Sequence, residues 1–179
     1  MRNHLVIFVK EPRLGKVKTR LAKDIGAYKA WLFYRRTVRR TIKKLVSDKW
    51  KITLWVSPDH YRGRFFDRRL PIMPQGRGDI GQRMQRVFDQ MPSGRVVLIG
   101  GDIPAVRKHH ISRAFKVLKS SDVTFGPATD GGYWLVGLRA PCPALFANIA
   151  WSTPHVLADS VARARDAGCS VAVLPPRHD

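Results

Sequence analysis

Acidic residues and cysteines are scarce in this chain, and each shortage excludes something. Against 33 Lys and Arg there are only 13 Asp and Glu, a formal charge of +20 over 179 residues. An excess of that size favours a polyanionic partner, either a phosphorylated small molecule or a polymer. The two cysteines, Cys142 and Cys169, are 27 positions apart and belong to no CxxC or Cys/His cluster. Neither a zinc site nor a disulfide framework is therefore indicated, and a reduced, cytoplasmic chain is expected. Long apolar runs are missing too. The N-terminal run from Leu5 to Val9 is far too short for a membrane span and shorter than a secretory core, with no small-residue cleavage site behind it.

Several chemical motifs are absent as well. No GxSxG elbow exists, and neither cysteine lies in an electropositive motif, so nucleophilic acyl chemistry has little support. The basic stretch around Gly15-Lys16 is not a Walker A loop, because Lys10 and Val17 stand where that motif needs Gly and Ser or Thr. Gly76 to Gly81 matches GxGxxG literally, but two prolines and no strong strand precede it, which argues against a dinucleotide fingerprint. Nor do aromatic and basic residues interleave along a strand, as an RNA-binding sheet requires.

What is present is a set of aliphatic runs separated by helical patterns, spread over one domain covering residues 1–179. A chain of this length buries roughly 70% of its unfolded surface. The central element is Arg95 to Pro104, RVVLIGGDIP. Val96 to Ile99 suit a strand covered on both faces, Gly100 and Gly101 permit close backbone approach, and Pro104 stops the ladder beyond Asp102. The carboxylate of Asp102 is thus placed at the carboxyl end of a sheet strand, where α/β sheets bind ligands. A hard oxygen donor there suits Mg²⁺ or Mn²⁺ carrying a phosphate. The alternative is that Asp102 caps the following helix or bonds within its own turn.

Earlier in the chain, His4 to Lys10 reads as a first strand, followed by EPRLGKVKTRLA, in which Arg13, Lys16, Lys18 and Arg20 surround Gly15. Such a density of cations points either to phosphate binding or to a flexible basic loop. A helix is expected over 26–48, with Trp31, Tyr34, Val38, Ile42 and Leu45 inward and cations outward. A strand follows at 51–57, then a short helical stretch at 61–68 and an extended piece at 71–75. Asp79 and Gln82 form a capping box for a helix carrying Met84, Val87 and Phe88. The glycines before it leave amides free for a phosphate or nucleotide edge.

A further helix is expected over 108–119, with the His109-His110 pair on its surface. Residues 122–138 then read as a strand, a turn and a returning strand. Asp130 in that turn is either a second ligand or simply the Asp of an Asp-Gly hairpin. Thr153 and Pro154 are expected at the N-cap and first position of a last helix. Trp151 beside them is a core anchor or a platform for a ligand ring. Gly168 closes that helix, and a final strand covers 170–174.

Taken together, VKEPRLGKVKTRLA at 9–22, GRGDIGQRM at 76–84, LIGGDIP at 98–104, GPATDGGYWLVGL at 126–138 and WSTP at 151–154 resemble the ordered blocks of a bacterial family, DUF2064. These are glycosyltransferase-A-like proteins of the nucleotide-diphospho-sugar transferase superfamily. The resemblance implies a single Rossmann-like α/β/α sandwich with a mixed, mostly parallel sheet and a nucleotide over the carboxyl ends of the first strands. By position, Asp102 matches the aspartate that coordinates Mg²⁺ or Mn²⁺, and Lys16, Lys18 and Arg20 match the phosphate-facing loop, which also holds Lys10, Arg13 and Gly15. Gly78, Asp79 and Arg83 fall on the nucleotide side. Asp130 matches the aspartate of the DGGY block, with Gly131, Gly132, Tyr133, Trp151, Ser152 and Thr153 on the substrate side. Gly101-Asp102-Ile103-Pro104 stands where the family usually has Ser-Asp-Cys-Pro, so the aspartate persists among altered neighbours.

The implied activity is a metal-dependent transferase in which Asp102 and Asp130 are catalytic, using a nucleotide sugar and an acceptor the sequence does not name. The same superfamily contains the phospholactate and molybdenum-cofactor guanylyltransferases, whose basic loop and Gly-Asp-x-Pro strand end are similar. Nucleotidyl transfer from a nucleoside triphosphate is therefore the alternative. A basic nucleic-acid-binding protein without catalysis is the third reading.

Overall fold

A computed structural model describes residues 2–142 and 144–175. The first strand, β1 (Asn3–Lys10), leads through a basic loop into α1 (Thr19–Ile25) and α2 (Ala27–Leu45). There follow β2 (Lys51–Ser57), β3 (Ile72–Pro74), α3 (Ile80–Gln90), β4 (Arg95–Gly100) and α4 (Lys108–Val117). The chain continues through β5 (Val123–Pro127), β6 (Tyr133–Leu138), α5 (Val156–Asp166) and β7 (Val171–Val173). The strands form one sheet in the order β3-β2-β1-β4-β6-β5-β7. Among these strands only β6 runs antiparallel to its neighbours, β4 and β5. This is the mixed, mostly parallel α/β architecture expected from the sequence.

Alternation along the central strands builds two cores. Leu5, Ile7 and Val9 of β1, with Val97 and Ile99 of β4, pack with Val38 and Leu45 of α2 and Ile111 and Phe115 of α4. Val6, Val96 and Leu98 pack on the other side with Met84, Val87 and Phe88 of α3 and Ala164 of α5. Leu5, Val6, Ile7 and Val97 are wholly buried, each worth about 1.5–3 kcal/mol in removed apolar surface. Apolar character on both faces therefore makes β1 and β4 central. The connection from β1 passes over one face by α2, whereas α3 returns on the other face to β4. The two strands thus diverge at a switch point whose carboxyl edge is open.

Some local expectations change. The helix expected over 26–48 runs from Ala27 to Leu45, and Thr19–Ile25 forms a separate helix, cut off by Gly26 at φ 85. Residues 61–68 form bends and turns instead of a helix. The Tyr61 hydroxyl accepts the amides of Phe65 (2.9 Å) and Phe66 (3.4 Å), donors that a helix would have turned to backbone carbonyls. The last helix begins at Val156 with His155 as N-cap. Thr153 Oγ1 donates to the Ala150 carbonyl at 2.9 Å and accepts the His155 amide at 3.4 Å, making a turn ahead of the helix, and Pro154 precedes the helix. His110 is more than a surface residue. Its Nδ1 accepts the Arg107 amide at 3.0 Å, and its ring lies edge-on to Trp134 with centroids 5.9 Å apart.

Cys142 and Cys169 meet across their 27-residue separation, with sulfurs 3.2 Å apart. Burial, then the neighbouring Cys169, pushes the Cys142 thiol up to about 12.

Candidate functional site

A cavity of about 920 Å³ opens over the carboxyl ends of β1 and β4, and its lining draws on nearly every motif singled out above. Asp102 follows directly from β4. It is held there because Gly101 passes close to β1: its amide donates to the Phe8 carbonyl at 2.8 Å, and a Cβ on it would lie 2.5 Å from Val9 Cγ1. The pair of glycines is thus a requirement of packing as well as of the turn.

Asp102 is not a cap. Its Oδ2 lies 2.7 Å from the Lys18 ammonium, with the two side chains 38% and 31% exposed. Lys18 reaches it because its own backbone is left-handed, φ 49 and ψ 45, at the residue that opens α1. An extended or right-handed residue there would aim the side chain elsewhere. The basic loop is fastened from behind. The Tyr34 hydroxyl accepts the Lys10 amide (2.7 Å) and donates to the Lys10 carbonyl (3.0 Å), while Trp31 Nε1 donates to the Pro12 carbonyl (2.6 Å). Burial pushes the Tyr34 phenol upward, the Lys10 hydrogen bond opposes this, and the charge of Asp102 adds to the rise.

The four loop cations separate. Lys18 and Arg20 line the cavity, as does Lys10. Arg13 turns to Glu11 at 2.6 Å. Lys16 and Gly15 are exposed and outside the lining, Gly15 serving the turn with φ 74.

On the opposite wall, the 76–79 loop is tied down by arginines from α3. Arg86 donates to the carbonyls of Gln75 (2.7 Å) and Arg77 (3.1 Å), and Arg83 Nε donates to that of Gly78 (2.9 Å). The expected capping box is present, with the Asp79 carboxylate accepting the Gln82 amide at 2.8 Å. Asp79 and Gly78 therefore serve the helix start and lie outside the lining, whereas Arg83 borders the cavity. Gly81 makes room for a ring, since a Cβ there would stand 2.5 Å from the Trp151 indole. Trp151 is both an anchor, packed against the second core, and part of the cavity wall.

Asp130, Gly132, Tyr133, Ser152 and Thr153 complete that wall. One Asp130 oxygen accepts the Gly132 amide at 3.1 Å, so the turn reading holds, while the exposed carboxylate also borders the same cavity as Asp102. Gly131 faces away. A Cβ on it would meet the Pro154 carbonyl oxygen at 2.1 Å, and its own carbonyl accepts the Leu157 amide at 3.0 Å, docking the turn on α5.

Residues missed by motif reading include Gln75, whose Nε2 donates to the carbonyls of Val9 (3.0 Å) and Trp55 (2.8 Å), and Tyr34 and Trp134. A polar residue closing an extended piece was the only signal for Gln75. Tyr34 was legible as core alone.

Among the described residues no three His, Cys, Asp or Glu groups come together. A cation here would have Asp102, with Asp130 on the same cavity, and would take its remaining ligands from water and substrate. That sparse oxygen set suits Mg²⁺ or Mn²⁺ and not a zinc or calcium cage.

Comparison with known proteins agrees with the fold. A 61-residue segment is 30% identical to 2-phospho-L-lactate guanylyltransferase of Methanocaldococcus sp. (strain FS406-22), covering 34% of this chain and 27% of that protein. A provisional nucleotide-diphospho-sugar transferase from Desulfovibrio desulfuricans G20 superposes with a TM-score of 0.90 at 32% identity, covering 98% of this chain and 81% of that one. Rv0371c of Mycobacterium tuberculosis H37Rv, solved in complex with manganese, shares the fold at TM-score 0.53 and 14% identity over 97% of this chain and 88% of its own. Residues 41–153 match the model of the family described as uncharacterized protein conserved in bacteria, and with a sheet of the nucleotide-diphospho-sugar transferase kind the chain belongs to that family, DUF2064.

Proposed function

We propose that the cavity binds a nucleotide diphosphate and that the chain is a transferase acting on a nucleotide-activated substrate, with glycosyl transfer from a nucleotide sugar as the principal reading. The observation that carries it is the Lys18–Asp102 pair at 2.7 Å on the open edge between β1 and β4. A carboxylate and a cation side by side at a switch point are the two charges a metal-diphosphate needs. In this reading Asp102 would hold Mg²⁺ or Mn²⁺, which when bound would neutralise the diphosphate charge. Lys18 and Arg20 bind the phosphates and stabilise the departing nucleoside diphosphate as the acceptor hydroxyl attacks the anomeric carbon. Trp151 and Arg83 bound the pocket beside the nucleotide, and Asp130 lies toward the transferred group. The second reading, nucleotidyl transfer, is favoured by the guanylyltransferase similarity. There a substrate phosphate attacks the α-phosphate, and pyrophosphate leaves.

The test is a thermal-shift panel of nucleotide sugars and nucleoside triphosphates with and without Mn²⁺. A true ligand at 100 times its Kd stabilises by about 2.7 kcal/mol. Asp102→Asn should keep the fold, since Lys18 is its one ion-pair partner among the described residues, and lose the metal-dependent part. If no compound stabilises the parent, or if the Asp102→Asn variant responds like the parent, the proposal fails. Release of a nucleoside diphosphate marks glycosyl transfer, and release of pyrophosphate marks the second reading. Asp130→Asn should be silent for stability and cost turnover more than affinity; the reverse pattern would return Asp130 to its turn.

A further inference from the structure

α2 carries Lys29, Arg35, Arg36, Arg39, Arg40, Lys43 and Lys44 and no acidic residue. Four of its cation pairs, 35 with 39, 36 with 40, 39 with 43 and 40 with 44, stand four residues apart, where like charges repel and destabilise a helix. None is relieved: among the described residues no α2 cation has a carboxylate within ion-pair distance. Arg35 and Arg39 instead lie over the rings of Trp31 and Phe65. A solvated helix face ordinarily mixes both signs with neutral polar residues.

α2 has no acid, and its neutral polar residues Thr37 and Thr41 are buried at the groove. Its uncharged outward residues are large and apolar: Tyr28 is 64% and Phe33 42% exposed, Val46 at the carboxyl end is 53%, and Leu14 and Ile25 on the preceding loop and helix are 58% and 39%. Apart from Leu14 and Val46, the exposed apolar residues of this region thus cluster at the amino end. Between α2 and Pro104 lies a groove of about 430 Å³ whose lining combines the cations Lys29, Arg36, Arg40 and Lys44 with Phe33 and the threonines at 37 and 41.

We propose that this outward face docks the chain on an anionic membrane surface, with lipid phosphates in the groove and among the cations, and Ile25, Tyr28 and Phe33 entering the acyl boundary. The mix of cations and apolar side chains, with no acid on α2 and the exposed Asp24 beside Ile25 outnumbered by the cations around it, is that of an interfacial surface. Its aliphatic member distinguishes it from a nucleic-acid groove, since Ile25 gains from hydrocarbon but offers no face on which a base stacks. No helix among the described residues is long and apolar enough to cross a membrane, so the attachment is peripheral. The inference is independent of the cavity's substrate.

The experiment is flotation of the full chain with phosphatidylcholine vesicles, with and without phosphatidylglycerol, across a salt series. Binding is expected on the anionic vesicles and should weaken as salt rises. Arg36→Glu/Arg40→Glu should reduce partitioning roughly tenfold or more. Arg163→Glu/Arg165→Glu on α5, with the same change in net charge, should leave it unchanged. Tyr28→Ser/Phe33→Ser should weaken binding while keeping its salt dependence. Equal loss from the α5 and α2 reversals would reduce the effect to net charge and overturn the proposal. It is also overturned if the Tyr28/Phe33 variant binds as the parent does, or if single-stranded RNA binds more tightly and displaces the vesicles.

Discussion

The cavity and the outward face of α2 are both cationic, yet only the cavity sets one of its cations against a carboxylate. In the cavity Lys18 is paired with Asp102, and Arg83 is spent on the carbonyl of Gly78. On α2 repelling cations stand together without an acid. Paired charges fix geometry, as a reaction centre requires, whereas crowded like charges raise the local potential. Basicity alone therefore does not mark one function. The arrangement of its partners does.

The sharpest way to break this comparison lies within one loop. Arg20→Ala should weaken nucleotide binding by about 2 kcal/mol, the worth of a charge-assisted hydrogen bond, and the loss should grow with the number of phosphates. Lys16→Ala, a few residues away and outside the cavity lining, should change affinity little. Equal losses by titration calorimetry would show that long-range charge, not placement, governs binding.

Lys18→Met tests whether pairing is the point. Freed of its ammonium, Asp102 should bind Mn²⁺ roughly tenfold more tightly in the absence of nucleotide, about 1.4 kcal/mol, measured by electron paramagnetic resonance. Diphosphate affinity should fall in the same variant. Unchanged Mn²⁺ affinity would mean that Lys18 and the ion do not compete for the carboxylate.

On α2 the sign reverses. Arg36→Glu converts a repelling pair with Arg40 into an attractive one and should stabilise the chain by about 0.5 kcal/mol, roughly 1–2 °C in Tm. A cavity cation replaced in the same way should give no such gain. A loss of stability in the Arg36→Glu variant would indicate that the α2 charges are already compensated.

A third kind of charge serves as a reference. Asp122 accepts hydrogen bonds from the Ser170 hydroxyl and amide and pairs with Arg139, tying the start of β5 to the strands beside it. These contacts, the Ser170 hydroxyl first, hold its carboxyl down at about 2 from 3.8. The folded state then binds fewer protons, so its contribution is full above about pH 4 and is lost as pH falls toward about 2. Denaturation midpoints should decline over that window in the parent and flatten in Asp122→Asn. An unchanged decline would place the acid sensitivity elsewhere.

Much of this was legible before the fold. β-branched runs placed β1, β2 and β4, and the Asp79–Gln82 spacing placed the start of α3, because both signals are local. The stretch at 61–68 misled because one tyrosine hydroxyl took amides that local propensity assigned to a helix. Thr153 misled by two residues: it bonds backward to Ala150 at 2.9 Å and takes the His155 amide at a long 3.4 Å, while the helix itself begins only after His155.

The chain by itself determined which strands are central, since burial on both faces demands apolar residues at every position. It also determined that a carboxylate ends the middle strand and that α2 carries cations alone. Only the tertiary structure decided that Lys18, and not Lys16 or Arg13, meets that carboxylate, through a left-handed residue and a loop clamped by Tyr34. The same holds for Trp151 resting on Gly81 and for Cys142 meeting Cys169. Hydrophobic period is a property of neighbours in sequence, whereas the partner of a charge or a ring depends on how distant segments cross, which no local spacing records.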